Sequence, residues 1–427
     1  MKITILNGNP ETSGFDNYLA ELSVALESEG NVVTQLDLRN VTLRYCIGCF
    51  GCWVKTPGEC GAIDESCEVR RAVIHSDFTL WAAPLKMGFP SALLKMALDK
   101  SIPLIHPYIV VHHGEAHHRP RYEHYPRLGL LVEPESDTDE TDLEILANVF
   151  SRTALNMKSR LEFTLTTQTP VSDLAARFSD KSNSFVPYEK RLTPTQGTLI
   201  RPPKKMTLFN GSPRGRKGNT PILLKQFAEG FASIPGNCYE IHNLNRVRDH
   251  RQYVQTLAGA ECVWLGFPLY TDAMPGIVKS FIEALAPLRG RNDNPPIGFL
   301  VQSGFPEALH SRYIERYLQK LAGRLGAPYL GTIVKGGGEG VHMMPEERNA
   351  KLFEALQGLG SGLARTGKLS PELLSEIAGV ERYSPLLVPV FEIFTRLPIS
   401  RWYWDSQLRE NGVYEERFAR PYVRETG

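Results

Sequence analysis

The sequence predicts an α/β protein of two tandem doubly wound parallel-sheet domains, followed by a helical and irregular C-terminal extension. Three observations predict it. Strand-length apolar runs alternate with helix-period segments, the order that builds βαβ units and a parallel sheet. A glycine-containing turn joins a strand to a helix twice, at residues 7–14 and 210–220. The residues around these turns also repeat at constant offset. Asn7, Gly8 and Pro10 match Asn210, Gly211 and Pro213, while Pro84, Leu85, Leu93, Lys95 and Asp99 match Pro268, Leu269, Ile277, Lys279 and Glu283.

Taken in order, the first copy reads as strand Lys2–Leu6, the turn, a helix from about Asn17 to Glu29, strand Val32–Leu38, strand Phe78–Ala83 and a helix from Ser91 to Lys100. It continues with strand Leu128–Val132, a helix near Asp142–Asn156 and a strand near Leu161–Thr166. The second copy reads as strand Lys205–Phe209, a helix opening at Pro221, strands Tyr239–Leu244 and Cys262–Gly266, and a helix from Pro275 to Leu285. Strand Ile297–Val301, a helix from about Glu307 to Leu325 and strand Tyr329–Val334 complete it. Thr220 fits a helix N-cap and Pro221 the first helical position. The expected boundaries are 1–167 and 205–362 for the two domains, 168–204 for a proline-containing linker and 363–427 for the extension, packed on a domain or on a second subunit.

Composition narrows the function classes. The 427 residues exceed one small core, and 42% apolar with 22% charged residues is ordinary for a globular chain. A net charge of +1 gives no reason to expect nucleic acid or an anionic membrane as partner. No signal peptide is expected, because Met1 leads straight into a strand, and no apolar run reaches the roughly 20 residues of a spanning helix. The seven cysteines cluster, which points to metal or redox chemistry in a reducing cytoplasm over a disulfide framework.

The turn at 210–220 is where chemistry is expected first. A strand tip, a glycine-rich loop and a helix N-terminus leave backbone N–H groups pointing at an anion. Ser212, Arg214, Arg216, Lys217 and Thr220 add donors that a phosphate accepts. The glycine spacing is neither G-x-G-x-x-G nor a Walker A loop. The bland alternative is a plain strand-to-helix turn. The copy at 7–14 has Glu11 where the second has Arg214, and its fourth-strand loop is acidic, with Glu133, Glu135, Asp137, Asp139 and Glu140.

Cys46, Cys49 and Cys52 stand at x2 spacing and Cys60 follows at x7, with Cys67 beyond. Four such thiols suit a [4Fe–4S] cluster, a tetrahedral zinc site, or no metal, as free thiols or a redox disulfide; all three stay open. Cys238 and Cys262 fall at strand positions and read as buried packing residues. Six of the eleven histidines, at 106, 112, 113, 117, 118 and 124, lie in what reads as a loop before the fourth strand. His113 and His117 could share a metal, the loop could cover a substrate, or it could simply hold its own structure.

The residues of the second copy resemble the flavodoxin-like NAD(P)H-dependent FMN reductases and, more narrowly, the iron–sulfur flavoproteins. Three pieces carry the likeness: Gly211-Ser212-Pro213-Arg214 with Gly218-Asn219-Thr220; Phe267-Pro268-Leu269-Tyr270 with Met274-Pro275-Gly276 and Lys279; and Ser303-Gly304-Phe305. The resemblance covers roughly residues 1–165 and 205–360. It implies that Ser212, Arg214, Gly218, Asn219 and Thr220 hold the phosphate of FMN. Pro268, Leu269 and Tyr270 would run beside the isoalloxazine ring, which Ser303, Gly304, Phe305 and the Gly336–Gly340 loop would approach. It implies a [4Fe–4S] cluster on Cys46, Cys49, Cys52 and Cys60, NAD(P)H or a ferredoxin-like redox protein as electron source, and a quinone- or flavin-type acceptor. A homodimer, or an internal pseudo-dimer with the cluster facing the FMN, is the implied assembly. The expected function is FMN-dependent oxidoreduction with one flavin per chain, in the second copy, and no acid or base residue is predicted. The rival readings are a non-enzymatic electron carrier and a thiol or metal redox sensor.

Overall fold

The computed structural model describes residues 1–179 and 197–423. By backbone contacts the chain separates into two units, Met1–Glu189 with Ser384–Gly427, and Lys190–Tyr383.

In the first unit, β1 (Lys2–Asn7) buries Ile3, Ile5 and Leu6 and lies parallel between β2 (Val32–Asp37) and β3 (Phe78–Lys86). Between β1 and β2 runs α1 (Gly14–Ser28), whose Phe15, Leu19, Leu22 and Leu26 recur at helical spacing as its buried stripe. A capping box fixes its start, Asp16 accepting the Ser13 amide at 2.9 Å. The helices α2 (Gly51–Val54) and α3 (Ser66–His75) precede β3, which turns back on the two-residue β4 (Phe89–Pro90). After α4 (Ala92–Asp99), β5 (Ile105–His112) and β6 (Glu115–Pro120) pair antiparallel. Then come β7 (Arg127–Glu133), α5 (Glu140–Asn156) and β8 (Leu161–Thr166). The main sheet runs β2-β1-β3-β7-β8, parallel along that path. This is the 2-1-3-4-5 order of the flavodoxin-like fold.

The stretch 168–204 contains more than connection. Val171–Ser179 form α6, which buries Leu174, Ala175 and Phe178 in the same core as Phe15 and Leu19. Residues 180–196 of that stretch lie outside the described residues.

The second unit repeats the plan. Its strands are β9 (Lys205–Asn210), β10 (Cys238–Asn243), β11 (Val263–Pro268), β12 (Ile297–Gln302) and β13 (Tyr329–Lys335), in the parallel order β10-β9-β11-β12-β13. The intervening helices are α7 (Asn219–Ala232), α8 (His250–Ala258), α9 (Gly276–Ala284) and α10 (Leu309–Leu325). After β13, α11 (Glu346–Thr366) lies against α7, and α12 (Pro371–Ala378) follows. The two helices approach closely because Gly230 faces the Gln357 backbone and Gly360 the Phe227 carbonyl, where any Cβ would clash. Phe227, Phe231, Trp264, Leu356 and Leu359 fill the core beneath. The chain closes in the first unit with α13 (Val388–Arg396) and α14 (Pro398–Glu410). Among the described residues no helix is long and apolar enough to cross a membrane.

Local structure corrects three expectations. Five of the six clustered histidines lie not in a loop but in the β5–β6 hairpin, turned by His113 (φ 52°) and Gly114 (φ 77°), both left-handed as a tight hairpin turn requires, while His124 follows in the loop before β7. The helix after the 210–218 turn begins at Asn219 with Gly218 as its cap, so Thr220 sits in the first turn and caps nothing. Cys262 is fully buried, but Cys238, the first residue of β10, is exposed.

Candidate functional site

In the second unit the loops at the carboxyl ends of β9, β11, β12 and β13 meet, and the strand order reverses between β9 and β11. Ligands of open α/β sheets bind at such a crevice. Asn210, the last residue of β9, shapes the first loop. Its Oδ1 accepts the Ser212 amide at 3.1 Å, and its Nδ2 donates to the Gly215 carbonyl at 3.1 Å and to Asn243 Oδ1 at 2.9 Å. Gly218 leaves room for the Ser212 hydroxyl, which a Cβ there would force to move. Ser212 and Asn219 are buried, and Thr220 Oγ1 is buried without a hydrogen-bond partner.

Arg214 and Asn219 reach across to one carboxylate. Arg214 Nη1 pairs with Glu339 Oε1 at 2.9 Å, and Asn219 Nδ2 lies 3.4 Å from Glu339 Oε2 and donates to the Glu339 carbonyl at 3.2 Å. The Asn219 Oδ1 accepts the His342 amide at 3.0 Å. Glu339 belongs to the turn after β13, where the Gly337 amide donates to the Phe305 carbonyl at 2.6 Å and the Gly338 amide to the Ser303 carbonyl at 2.7 Å. That turn thereby ties the Ser303–Phe305 segment to the first loop. Ser303 Oγ donates back to the Phe305 carbonyl at 3.3 Å, and the Phe305 ring stacks on buried His310 at 4.2 Å.

The segment after β11 joins the same group. The Leu269 amide donates to the Gln302 carbonyl at 2.7 Å, next to Ser303. Tyr270 and Ala273 close a tight turn through two backbone bonds of 2.8 and 3.0 Å. Thr271 (φ 40°) and Asp272 (φ 58°) take the left-handed backbone that non-glycine residues rarely adopt, a strain that concentrates at functional sites. Leu269 and Tyr270 are half-buried while Pro268 is buried.

The corresponding loop of the first unit closes on a carboxylate of its own helix. Asp16 accepts from Asn7 Nδ2 at 2.7 Å, Asn9 Nδ2 at 2.9 Å and the Ser13 amide at 2.9 Å, and pairs with Arg39 Nη1 at 2.7 Å. Burial alone would raise the Asp16 carboxyl, but the Ser13 amide, Arg39 and Asn7 together outweigh it and hold the carboxyl below the usual carboxylate range. The acidic loop after β7 serves the backbone: Glu135 accepts the Met87 and Gly88 amides at 3.0 and 2.6 Å.

The cysteine loop lies in this first unit. Gly48 (φ 64°) and Phe50 (φ 55°) are left-handed and fold the loop tightly, and the Gly51 amide donates to Cys49 Sγ at 3.4 Å. Burial pushes the Cys46 thiol up to about 12, and burial together with Cys46, Cys60 and Cys49 pushes Cys52 up further. Lys100 Nζ lies 3.6 Å from Cys60 Sγ and 2.7 Å from Asp64. The four thiols are therefore neighbours and match a four-thiolate group in kind and number. Among the described residues, however, no group of three or more His, Cys, Asp or Glu is placed to hold a metal ion. That also applies to the histidine hairpin, where His117 Nδ1 is 3.0 Å from Asn156, Glu115 pairs with Arg152 at 2.5 Å, and His118 packs on Trp53. Trp53 in turn meets Trp404 of α14 edge-on at 5.3 Å.

Sequence reasoning placed the three loops together but gave no role to Glu339, Asp16, Glu135 or Asn210. For Asn210 a signal existed, since the same residue stands at position 7 of the copy.

Comparison with known proteins agrees with the first unit. Residues 1–115 match the family described as NADPH-dependent FMN reductase. An iron–sulfur flavoprotein of Methanocaldococcus jannaschii is 32% identical over 105 residues, 24% of this chain and 53% of that one. One of Archaeoglobus fulgidus is 29% identical over 107 residues, 25% and 48% of the two chains. The chain thus spans about half the length of the curated relatives it matches. Among solved structures, an azoreductase of Bacillus anthracis aligns at 16% identity and TM-score 0.31, over 37% of this chain and 99% of that one. An NAD(P)H:quinone oxidoreductase of Methanothermobacter marburgensis does so at 16% and 0.31, over 37% and 94%. The likeness to the NADPH-dependent FMN reductases thus lies in the N-terminal part of the chain, residues 1–115.

Proposed function

We propose that the chain is an FMN-dependent oxidoreductase that takes electrons from NAD(P)H and passes them to a small quinone- or flavin-type acceptor, with FMN held in the second unit. The observation that carries this is the meeting of the 212–220, 268–270 and 303–305 loops at the strand switch point, next to the unpartnered Thr220 Oγ1. The internal repeat links that unit to the family matched by residues 1–115.

The donor set suits the group. Ser212, Arg214, Asn219, Thr220 and the N-terminal amides of α7 offer a phosphate charge-assisted and backbone hydrogen bonds. The close-packed Gly218 lets the backbone itself approach an anion. Pro268, Leu269 and Tyr270 would flank the ring, and Ser303, Gly304 and Phe305 would limit its other side. FMN, when bound, supplies hydride and electron transfer; the chain positions it and excludes water.

The family match over the first unit favours a second reading, in which that unit holds FMN as well or instead. Flavin content per chain, with NADPH–quinone turnover, tests both. One FMN per chain, lost in Arg214→Met together with turnover, supports the second unit. One FMN retained in that variant assigns the flavin to the first.

We further propose Cys46, Cys49, Cys52 and Cys60 as [4Fe–4S] ligands. The support is their spacing, their mutual neighbourhood and the relatives' names; no reaction step is drawn through the cluster.

A further inference from the structure

Glu339 reaches into the proposed phosphate loop from a distant part of the chain. It makes the contacts a bound phosphate would be expected to make: a charge-assisted pair with Arg214 at 2.9 Å, and the Asn219 side-chain amide within 3.4 Å at the start of α7. It also crosses the neighbouring segment, since a Cβ placed on Gly304 would touch the Glu339 Cβ at 3.7 Å. Close by, Thr220 Oγ1 is fully buried and makes no hydrogen bond, which is costly unless something else approaches it.

The turn that carries Glu339 is fixed at its glycines. Gly336 packs on the Pro306 carbonyl, and Gly337 and Gly338 donate to the Phe305 and Ser303 carbonyls. The Glu339 side chain itself keeps about a quarter of its surface, 26%, in solvent, so it can rotate out while the turn stays. A dianionic phosphate and a carboxylate cannot share one guanidinium and one helix N-terminus without strong repulsion.

We propose that Glu339 is the specificity-determining residue of this loop: its carboxylate holds Arg214 and Asn219 until a ligand phosphate displaces it. Glu339 thereby lowers affinity for FMN selectively and leaves affinity for the phosphate-free riboflavin unchanged. This rests on the reading of the second unit as a flavin site. It does not depend on turnover.

The test is titration of the flavin-free full chain with FMN and with riboflavin, read by quenching of flavin fluorescence, in four proteins: wild type, Glu339→Gln, Arg214→Met and the double variant. Glutamine keeps the side-chain length, the contact over Gly304 and an acceptor for Asn219, so the fold is retained. The expected result is about tenfold tighter FMN binding in Glu339→Gln, the order expected from freeing one charge-assisted contact, with riboflavin affinity unchanged. The gain should vanish when Arg214 is also replaced. If Arg214→Met weakens FMN but Glu339→Gln leaves the FMN-to-riboflavin ratio at its wild-type value, this inference is overturned and the flavin site stands. If Arg214→Met leaves FMN binding untouched, the flavin site of the second unit falls, and this inference with it.

Discussion

Thr220→Val separates a functional hydroxyl from a structural one because its two effects have opposite signs. Thr220 lies in the first turn of α7, completely buried, and its Oγ1 has no hydrogen-bond partner. A buried hydroxyl without a partner costs about 1–3 kcal/mol. Valine has nearly the same shape and a similar helix propensity. Removing the hydroxyl should therefore stabilise the flavin-free protein, by about 1 kcal/mol at the low end of that range. In a unit of this size that is a rise of roughly 2–4 °C in the melting temperature. In the flavin-bound protein the same hydroxyl gains a charged partner, a bond worth about 1.5–3 kcal/mol. The variant should then bind FMN at least about tenfold more weakly. Differential scanning fluorimetry without flavin and fluorescence titration with FMN read the two arms. A lower melting temperature, or FMN affinity equal to wild type, would refute the reasoning that this hydroxyl awaits a ligand.

Three further outcomes follow from other parts of the molecule. Gly218→Ala drives a Cβ into Ser212 Oγ; overpacking of this kind costs about 1–3 kcal/mol, so urea unfolding should show a protein that still folds while FMN binding is lost. Burial holds the His106 imidazole down at about 3 and those of His112 and His118 at about 4. Unfolding lets them take up protons near the ordinary value of about 6.5, so this part of the stability is complete above that pH and is lost as pH falls toward 4. The urea midpoint of the first unit should drop between about pH 7 and pH 5, and His118→Phe should flatten the drop; a midpoint constant over that range contradicts it. For the cysteines, native alkylation followed by peptide mass spectrometry should modify exposed Cys49 and Cys238 first and spare buried Cys52 and Cys262. Anaerobic loading with iron and sulfide should then protect Cys46, Cys49, Cys52 and Cys60 while Cys238 stays reactive. Equal labelling before and after loading removes the proposed ligand set.

Local periodicity carried most of the fold. Both copies of the strand-turn-helix order and the offset match between Asn7 and Asn210 were legible because they depend on neighbours in sequence. The histidine hairpin was also written locally, as His113-Gly114 after the β-branched run Ile109-Val110-Val111, but the density of histidines hid the turn signal. In α6, Val171, Leu174, Ala175 and Phe178 have helical spacing inside a stretch whose prolines suggested only connection. The helix cap falls on Gly218 rather than Thr220, and Ser212 packs where a side chain on that cap would stand. The role of Glu339 was not legible at all, since it pairs with a residue 125 positions earlier, and no local pattern encodes that contact.

The central claim is that the second unit holds FMN through its phosphate. The direct measurement is the FMN-to-protein ratio after saturation and gel filtration, compared between wild type and Arg214→Met. Loss of one equivalent of FMN per chain in the variant, with the fold intact by circular dichroism, is the predicted result. An unchanged ratio would contradict it.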